Sequence, residues 1–242
     1  MATNPYDFSF VLRKQLQRKI LKILLFFFSI FAIINFILIL FIFPFQIGES
    51  AMNPEYPDNS LIFVAPCNFE SPFFFQKYDI TRGSVLYLDS QHDYDLSLVK
   101  KAINNFAEFF TLRKIVPFST KNTITEKPTL RRVVGLPGDT LYIKDYVVYI
   151  KPKGSQHYLT EFELADRMYE TIVNNDYSLN ATIGAAREMS EITLGENQYF
   201  VLADNRISAI DSRIYGPVDI SQLKGKAILR FFPFSDFEIF PI

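Results

Sequence analysis

The chain of 242 residues is long enough for one domain, or for a domain together with a membrane anchor. Its formal net charge of -1 gives no electrostatic reason to expect nucleic acid binding. Cys67 is the only cysteine, which excludes an intramolecular disulfide, and the two histidines, His92 and His157, leave too few soft ligands for a zinc site. We therefore expect no metal, no cofactor and no histidine-based catalysis.

Residues 1–22 are polar and basic, and an uncharged apolar run, 23–43, follows them. As a helix this run would be roughly 30 Å long, which is the thickness of a bilayer core. Basic residues crowd before the run, and none follows it until Lys77. By the positive-inside bias, we expect a single-pass protein of the cytoplasmic (inner) membrane, with a cytoplasmic N-terminus and an extracytoplasmic domain, 44–242. The alternative, a cleaved signal peptide, would have a shorter apolar region, about 7–15 residues, and a small-x-small cleavage site.

The remaining chain predicts short strands and two helices. Apolar stretches bounded by turn residues predict two strands and a hairpin: Ser60–Ala65, Gln198–Leu202 and the hairpin Thr140–Ile150, with Lys144-Asp145 near its turn. Apolar residues at spacings of three and four predict a helix between Asp93 and Lys114 and another over Glu161–Asn174. The first helix and the polar linker Ile115–Lys127 form a predicted insertion, 93–127. This helix either packs on the core or lies on the bilayer surface.

The stretch Leu130–Asp139, LRRVVGLPGD, predicts a buried strand that ends in a forced turn. Gly135 and Gly138 permit positive φ, Pro137 fixes φ, and the side chain of Asp139 can bond nearby backbone. Alone, this pattern is as compatible with an ordinary turn as with a functional motif.

Two further stretches accompany it in a fixed order: AMNP at Ala51–Pro54 and ADNRISAIDSRIYGPV at 203–218. Together the three resemble the motifs of type I signal peptidases, membrane-bound Ser/Lys endopeptidases that remove signal peptides from exported proteins. The resemblance covers roughly residues 44–235. It implies a mainly β fold, namely an antiparallel β extracytoplasmic domain with a cap, 151–195, short helical insertions and one N-terminal transmembrane helix, 23–43. Thr81–Leu88 resembles the Arg-Gly-Asp turn and strand of the family, with Ser84 in place of Asp.

The positions that carry out chemistry in this family are substituted here. The nucleophilic Ser lies immediately before Met52, where this chain has Ala51, and the position that helps to hold the oxyanion is Glu49, whose charge would repel it. Ser50 is a possible substitute. Because we expect an extended backbone, however, the Ser50 side chain should lie on the face opposite to Ala51.

The general-base Lys of the family corresponds to Arg131, and the Ser that bonds this Lys corresponds to Ala209, with Ser208 one place away. A buried Lys can lose its proton near neutral pH, whereas a guanidinium remains charged. Arg131 is therefore not a general base. The first residue of the third motif, Gly in the family, is Ala203. The motif residues that shape the scaffold are retained: Met52, Pro54, Gly135, Pro137, Gly138, Asp139, Asp204, Asn205, Arg206, Asp211, Ser212 and Arg213.

Three hypotheses follow. The leading one is a catalytically silent, membrane-anchored protein of this family, which acts by binding or regulation and contacts exported preproteins or an active signal peptidase. The alternative is an active peptidase with atypical catalytic residues such as Ser50. A third, a structural envelope protein of unrelated function, requires that all three motifs are coincidental. The expected partners are the lipid bilayer and these proteins, and not nucleic acid.

Overall fold

A computed structural model describes residues 5–48, 50–66, 80–89, 128–173, 186–207 and 210–240, together with scattered positions between 97 and 118. The chain divides into two compact units, Met1–Phe41 and Ile42–Ile242. Glu49, Ser208 and Ala209 lie outside the described residues, and so does most of the predicted insertion, 93–127.

The first unit contains one long helix, α1 (Pro5–Phe41). Its side chains are described for residues 13–31 and for Ile33, and all of these are exposed within the unit. Across the part of the chain that the structure describes, no helix combines the length and the apolar character needed to cross a membrane.

The second unit is mainly β, as expected, and its described helices are short. The strands are β1 (Phe43–Gln46), β2 (Leu61–Pro66), β3 (Val85–Leu88), β4 (Thr129–Gly135), β5 (Thr140–Lys144), β6 (Val147–Lys151), β7 (Leu159–Thr160), β8 (Met189–Thr193), β9 (Gln198–Leu202), β10 (Val218–Asp219), β11 (Leu223–Phe232) and β12 (Glu238–Ile239). The helices are α2 (Glu161–Leu164) and α3 (Ser212–Tyr215), and 3-10 turns occur at Ser50–Met52, Ile220–Gln222 and Phe234–Asp236.

Two antiparallel sheets organise these strands. An eight-stranded sheet has the order β1-β2-β11-β3-β4-β9-β10, with β12 paired to β11, and a four-stranded sheet has the order β7-β6-β5-β8. The predicted strands at Ser60–Ala65 and Gln198–Leu202 and the predicted hairpin are confirmed. The hairpin turn uses positive φ at Asp145 and Tyr146.

The two sheets share a hydrophobic core where β4 and β9 meet β5 and β6. Its fully buried side chains are Val134, Leu141, Ile143, Val148, Ile150, Leu194, Phe200 and Leu202. Gly135 lies in this core, and a Cβ atom there would be 2.7–2.9 Å from side-chain atoms of Leu141, Leu194 and Phe200. Our prediction of a positive φ holds at Gly138, where φ is +85°, but not at Gly135. Gly135 is required because the packing is close.

The predicted helix over Glu161–Asn174 is wrong beyond its first turn, because α2 ends at Leu164. A capping box explains its start, since the Thr160 hydroxyl accepts from the Glu163 backbone and the Glu163 carboxylate accepts from Thr160 N–H. The following chain to residue 173 is not helical, and the Ile172 backbone bonds to the third motif instead. Ile172 N–H donates to the Asp204 carbonyl, and Arg206 N–H donates to the Ile172 carbonyl, both at 2.9 Å.

Candidate functional site

The first and third motifs meet at Ala51. Its side chain is 4% exposed and packs against Ala203, which is fully buried. Asn205 holds the two segments together, because its backbone N–H donates to the Ala51 carbonyl at 2.9 Å and its side-chain amide donates to the Ser50 carbonyl at 3.3 Å. The position that the resemblance assigns to the nucleophile therefore carries a methyl group, which packs against a second methyl group.

The expected extended backbone at Ser50 is wrong, because Ser50–Met52 forms a 3-10 turn. Consecutive side chains of such a turn point roughly 120° apart, so Ser50 and Ala51 still point in different directions. Ser50 is half-buried, whereas Met52 is buried in the core with Phe43, Phe45 and Tyr56. Asn53-Pro54 is a cis peptide bond.

Arg131, which the resemblance places at the general-base position, is a buried residue of β4, 2% exposed. Its Nε and Nη2 atoms donate to the Ile210 carbonyl at 3.0 and 2.8 Å. Its Nη1 atom donates to the Leu130 carbonyl at 2.6 Å and also to the Thr129 hydroxyl. The guanidinium thus fixes the segment before Asp211 to β4. It is a cation that donates hydrogen bonds, and it has no lone pair with which to accept a proton.

Arg132, the next residue, joins the second motif to the third and to Glu55, the residue that follows the first motif. It donates to both carboxylate oxygens of Asp204 at 2.7 and 2.5 Å, to Glu55 at 2.6 Å and to the Gly83 carbonyl at 2.7 Å. Its guanidinium also lies 4.1 Å from the ring centroid of Tyr169. Burial opposes the charge of Arg132, but the bonds and charges of Asp204 and Glu55 outweigh it and raise the pKa of Arg132. Burial raises the pKa of Asp204, and Arg132 opposes that shift.

A second buried ion pair connects the third motif to α2. Arg206 donates to both carboxylate oxygens of Glu161 at 3.1 and 2.6 Å, and each side chain is 1% exposed. The Tyr169 hydroxyl donates to the same carboxylate at 2.6 Å. Burial raises the pKa of Tyr169, and the charge of Glu161 raises it further. Sequence reasoning missed Glu161, Tyr169 and Glu55. The Thr160-x-x-Glu163 pattern in the sequence is a signal for the start of α2 that we did not use, and no pattern indicates these long-range partners.

Asp211 begins α3 and ties it to the end of β9. Its carboxylate accepts from Ala203 N–H at 3.1 Å, from Arg213 N–H at 3.1 Å and from the Arg213 guanidinium at 2.9 and 2.7 Å. Ser212 Oγ accepts from Val201 N–H at 3.0 Å. Burial raises the pKa of Tyr215, at the end of α3.

Asp139 closes the turn of the second motif. It accepts from Leu136 N–H at 2.8 Å, from Lys153 N–H at 3.3 Å and from Arg82 at 2.6 Å. The predicted contact with nearby backbone is therefore present, and Arg82 adds a charged partner from the turn before β3. In the described part of the chain, no group of three or more His, Cys, Asp or Glu side chains is arranged to hold a metal ion.

Comparison with known proteins identifies the family. The family model described as signal peptidase, peptidase S26, matches residues 20–232. The chain belongs to the S26 signal peptidase family. The hypothesis that the three motifs are coincidental is therefore wrong.

Two relatives within the family illustrate the extent of the similarity. A signal peptidase I of Bacillus caldolyticus is 33% identical over 109 residues, and a signal peptidase IB of Staphylococcus aureus (strain Mu50 / ATCC 700699) is 31% identical over 109 residues. Each match covers 45% of this chain and 56% of the relative. The chain thus spans little more than half the length of these curated relatives. A crystal structure of a signal peptidase I from Enterococcus faecalis V583 aligns at 22% identity with a TM-score of 0.32, covering 63% of this chain and 98% of that chain.

Within this S26 member, the structure brings together Ala51, Ala203 and Asn205 and, separately, Arg131 and the Ile210 carbonyl. The positions aligned with the oxyanion residue and with the partner of the base, Glu49 and Ala209, lie outside the described residues. The roles assigned by the resemblance to all four positions remain predictions.

Proposed function

We propose that this chain is a catalytically silent, membrane-anchored member of the signal peptidase family, which binds exported preproteins without cutting them. The observation that carries the proposal is the Ala51–Ala203 contact, since a buried methyl group stands at the nucleophile position. Cleavage of a peptide bond needs a nucleophile, a group that takes its proton and donors for the oxyanion.

The other aligned positions support the same conclusion. Arg131 is a permanent cation whose donors are directed at backbone and hydroxyl oxygens. Glu49 would place a carboxylate where a negatively charged oxygen develops during cleavage. A Ser hydroxyl at the site would therefore lack both an acceptor for its proton and a complete oxyanion site.

The retained scaffold supports binding. Arg132 and Arg206 hold the first and third motifs and α2 in fixed positions through buried ion pairs. Burying such ion pairs costs free energy. Their retention around an inactive site therefore supports a role in which the shape of a binding surface is still required. We propose exported preproteins as the bound partner, with an active signal peptidase as the second candidate.

We also propose that residues 23–43 cross the cytoplasmic membrane, with the N-terminus inside and 44–242 outside. Large exposed apolar side chains of α1 support this, among them Leu24, Phe26, Phe27 and Phe28. Reporter fusions after Pro44 test it. Activity of a reporter that works only outside the cytoplasm is expected, and activity of one that works only in the cytoplasm would contradict the topology.

The decisive experiment mixes purified full-length protein in detergent with a signal-peptide-bearing preprotein and records binding and cleavage together. We expect a complex between the two and an intact preprotein. Specific cleavage that is lost in Ser50→Ala, with contaminating host peptidase excluded, would overturn the silent interpretation in favour of an active enzyme that uses Ser50. Absence of binding, together with copurification of an active signal peptidase, would favour the second partner.

A further inference from the structure

A cavity of about 370 Å³ lies where β5 meets β8 in the four-stranded sheet. Ile143 points into the core, so its neighbours Tyr142 and Lys144 lie on the opposite, outer face of β5. The cavity volume falls in the lower part of the range typical of ligand pockets, roughly 300–1,000 Å³. The cavity is lined by Tyr142, Ile143, Lys144, Glu188, Met189 and Ser190.

A β-bulge in β8 adds a hydroxyl group to the wall of this cavity. The pairing of β5 with β8 shifts its register between Leu141 and Ile143, where β8 accommodates one extra residue. Ser190 and Glu191 therefore both stand opposite Tyr142, and both are exposed. Bulges of this kind redirect side chains and are frequent beside functional sites. Here the bulge places Ser190 at the cavity.

The polar side chains of the cavity are unpaired, whereas those around it bind each other. Within the part of the chain that the structure describes, the side chains of Lys144, Glu188 and Ser190 form no hydrogen bond and no ion pair. The cavity thus brings together an ammonium, a carboxylate and a hydroxyl group that are available to a ligand. Neighbouring polar side chains form three pairs: Arg187 with Asp145, Tyr158 with Glu191, and Thr140 with Thr193.

Tyr142 gives the cavity a fixed aromatic wall. Its ring stacks on the ring of Tyr149 across the β5–β6 pair, with centroids 4.9 Å apart and an interplanar angle of 8°. Tyr158 contacts the same ring in a T-shaped arrangement at 5.1 Å. Because Tyr149 covers the side toward β6, the side of the Tyr142 ring toward β8 lines the cavity. The cavity therefore combines an apolar aromatic surface with polar groups.

This combination excludes several classes of ligand. Lys144 and Glu188 carry opposite charges and are both exposed, so an ion of either sign would be attracted weakly by one and repelled by the other. An extended peptide needs partners for its backbone, but the backbones of β5 and β8 bond to each other along the cavity. A purely apolar molecule would cover the three polar groups without bonding to them.

We propose that the cavity binds a neutral sugar. Hydroxyl groups both donate and accept hydrogen bonds, so those of a sugar can bond to the Lys144 ammonium, the Glu188 carboxylate and the Ser190 hydroxyl together. A pyranose ring also has an apolar C–H face, which matches the wall formed by Tyr142. The cavity lies apart from the candidate catalytic positions, so sugar binding does not depend on whether the chain cleaves preproteins.

Calorimetric titration of the full-length protein tests this site, in a detergent that has no sugar headgroup. The probes are cellotetraose and chitotetraose, two neutral chains of pyranose rings. We expect at least one of them to bind saturably, and Tyr142→Ala should weaken its affinity about ten-fold because the ring contact is lost. Lys144→Ala should weaken it several-fold. The matched control, Lys151→Ala, changes a lysine of β6 that does not line the cavity, and it should leave the affinity unchanged.

Lys144 is exposed, so its variant keeps the test valid even where Tyr142→Ala fails to fold. Absence of saturable binding by both probes would overturn the proposal. Equal loss of affinity in Lys144→Ala and Lys151→Ala would also overturn it, because binding would then lie elsewhere. Tighter binding of the dipeptide glutamyl-lysine than of either sugar, lost in Lys144→Ala, would assign the cavity to a zwitterion instead. The cleavage and reporter assays on the same protein test the proposed function separately.

Discussion

Arg131 and Arg132 are neighbours on β4, and both are 2% exposed, yet their guanidinium groups have different acceptors. Those of Arg132 include the carboxylates of Asp204 and Glu55, whereas Arg131 donates to the Ile210 carbonyl and to other neutral oxygens. Arg132 therefore belongs to a network that joins distant segments, and Arg131 fixes one loop. The network around Arg132 is hard to change one residue at a time, because removing one partner leaves a buried charge. Ala51 and Ala203, which pack against each other elsewhere in the motifs, belong to neither arginine's set of hydrogen bonds.

The largest expected effect comes from breaking the network at Glu161. In Glu161→Gln the positive charge of Arg206 loses its buried counter-ion, so the free energy of unfolding should fall by about 3–5 kcal/mol. Chemical unfolding of the full chain in detergent, followed by circular dichroism, measures this.

The matched control is Arg187→Gln, which removes the exposed pair with Asp145. A surface pair contributes about 1 kcal/mol or less. If Glu161→Gln and Arg187→Gln lowered the free energy of unfolding by similar small amounts, the buried network would not stabilise the fold.

A loss of comparable size is expected at Asp211, which is the counter-ion of the buried Arg213 guanidinium. Asp211→Ala removes the acceptor of Ala203 N–H and of the Arg213 guanidinium, and each buried group left unpaired costs roughly 1–3 kcal/mol. The melting temperature should fall clearly below that of Asp219→Ala, a control in which an exposed aspartate caps the 3-10 turn Ile220–Gln222. An unchanged melting curve for Asp211→Ala would show that the third motif has been misread.

Substitutions at the candidate catalytic positions are expected to change peptidase activity only slightly. Ala51→Ser alone should give no cleavage of a preprotein with small residues before the cut, because Arg131 takes no proton from the new hydroxyl. Ala51→Ser with Arg131→Lys should give weak cleavage at most, since Glu49 and Ala209 remain and the lysine cannot replace the guanidinium bonds to Ile210. Detectable turnover by Ala51→Ser alone would refute our interpretation of Arg131.

The smallest effect concerns the capping box of α2. The backbone N–H and the hydroxyl of Thr160 each donate to Glu163 at 2.7 Å, and the backbone bond followed by the hydroxyl bond lowers the pKa of Glu163. The pKa of Glu163 is higher in the unfolded chain than in the folded protein. Ionised Glu163 therefore stabilises the turn above about pH 4.3, and this contribution is lost as the pH falls through the pKa of Glu163 in the folded protein. The protection of the Glu161–Leu164 amides against exchange, corrected for the intrinsic rate at each pH, should therefore fall in acid, and Glu163→Gln should remove that pH dependence. An identical pH dependence of amide protection in the wild-type protein and in Glu163→Gln would contradict this prediction.

The predictions from sequence succeeded where neighbouring residues decide the structure. The hairpin predicted at Thr140–Ile150 is present and pairs Thr140 with Lys151, and Gly138 has the positive φ that its turn suggested. The predicted helix over Glu161–Asn174 ends at Leu164 instead. The Ile172 backbone bonds to Asp204 and Arg206, and these tertiary contacts outweigh the helical spacing of the apolar residues. The partners of Arg132 and Arg206 were unpredictable for a similar reason. Glu55 lies 77 residues from Arg132, and Glu161 lies 45 residues from Arg206, and no periodic pattern relates such positions.

The position of β11 has a consequence for how the large sheet assembles. β2 and β3 are early in the chain, but they do not pair with each other, because Leu223–Phe232 lies between them and bonds to both. Until residues 89–222 have been synthesised, both strands keep an open edge that can pair with other chains. Completion of the sheet therefore waits for a distant contact, which is slow to form compared with a hairpin. From this strand order, we expect the aggregation-prone period of folding to end only when β11 pairs with β2 and β3.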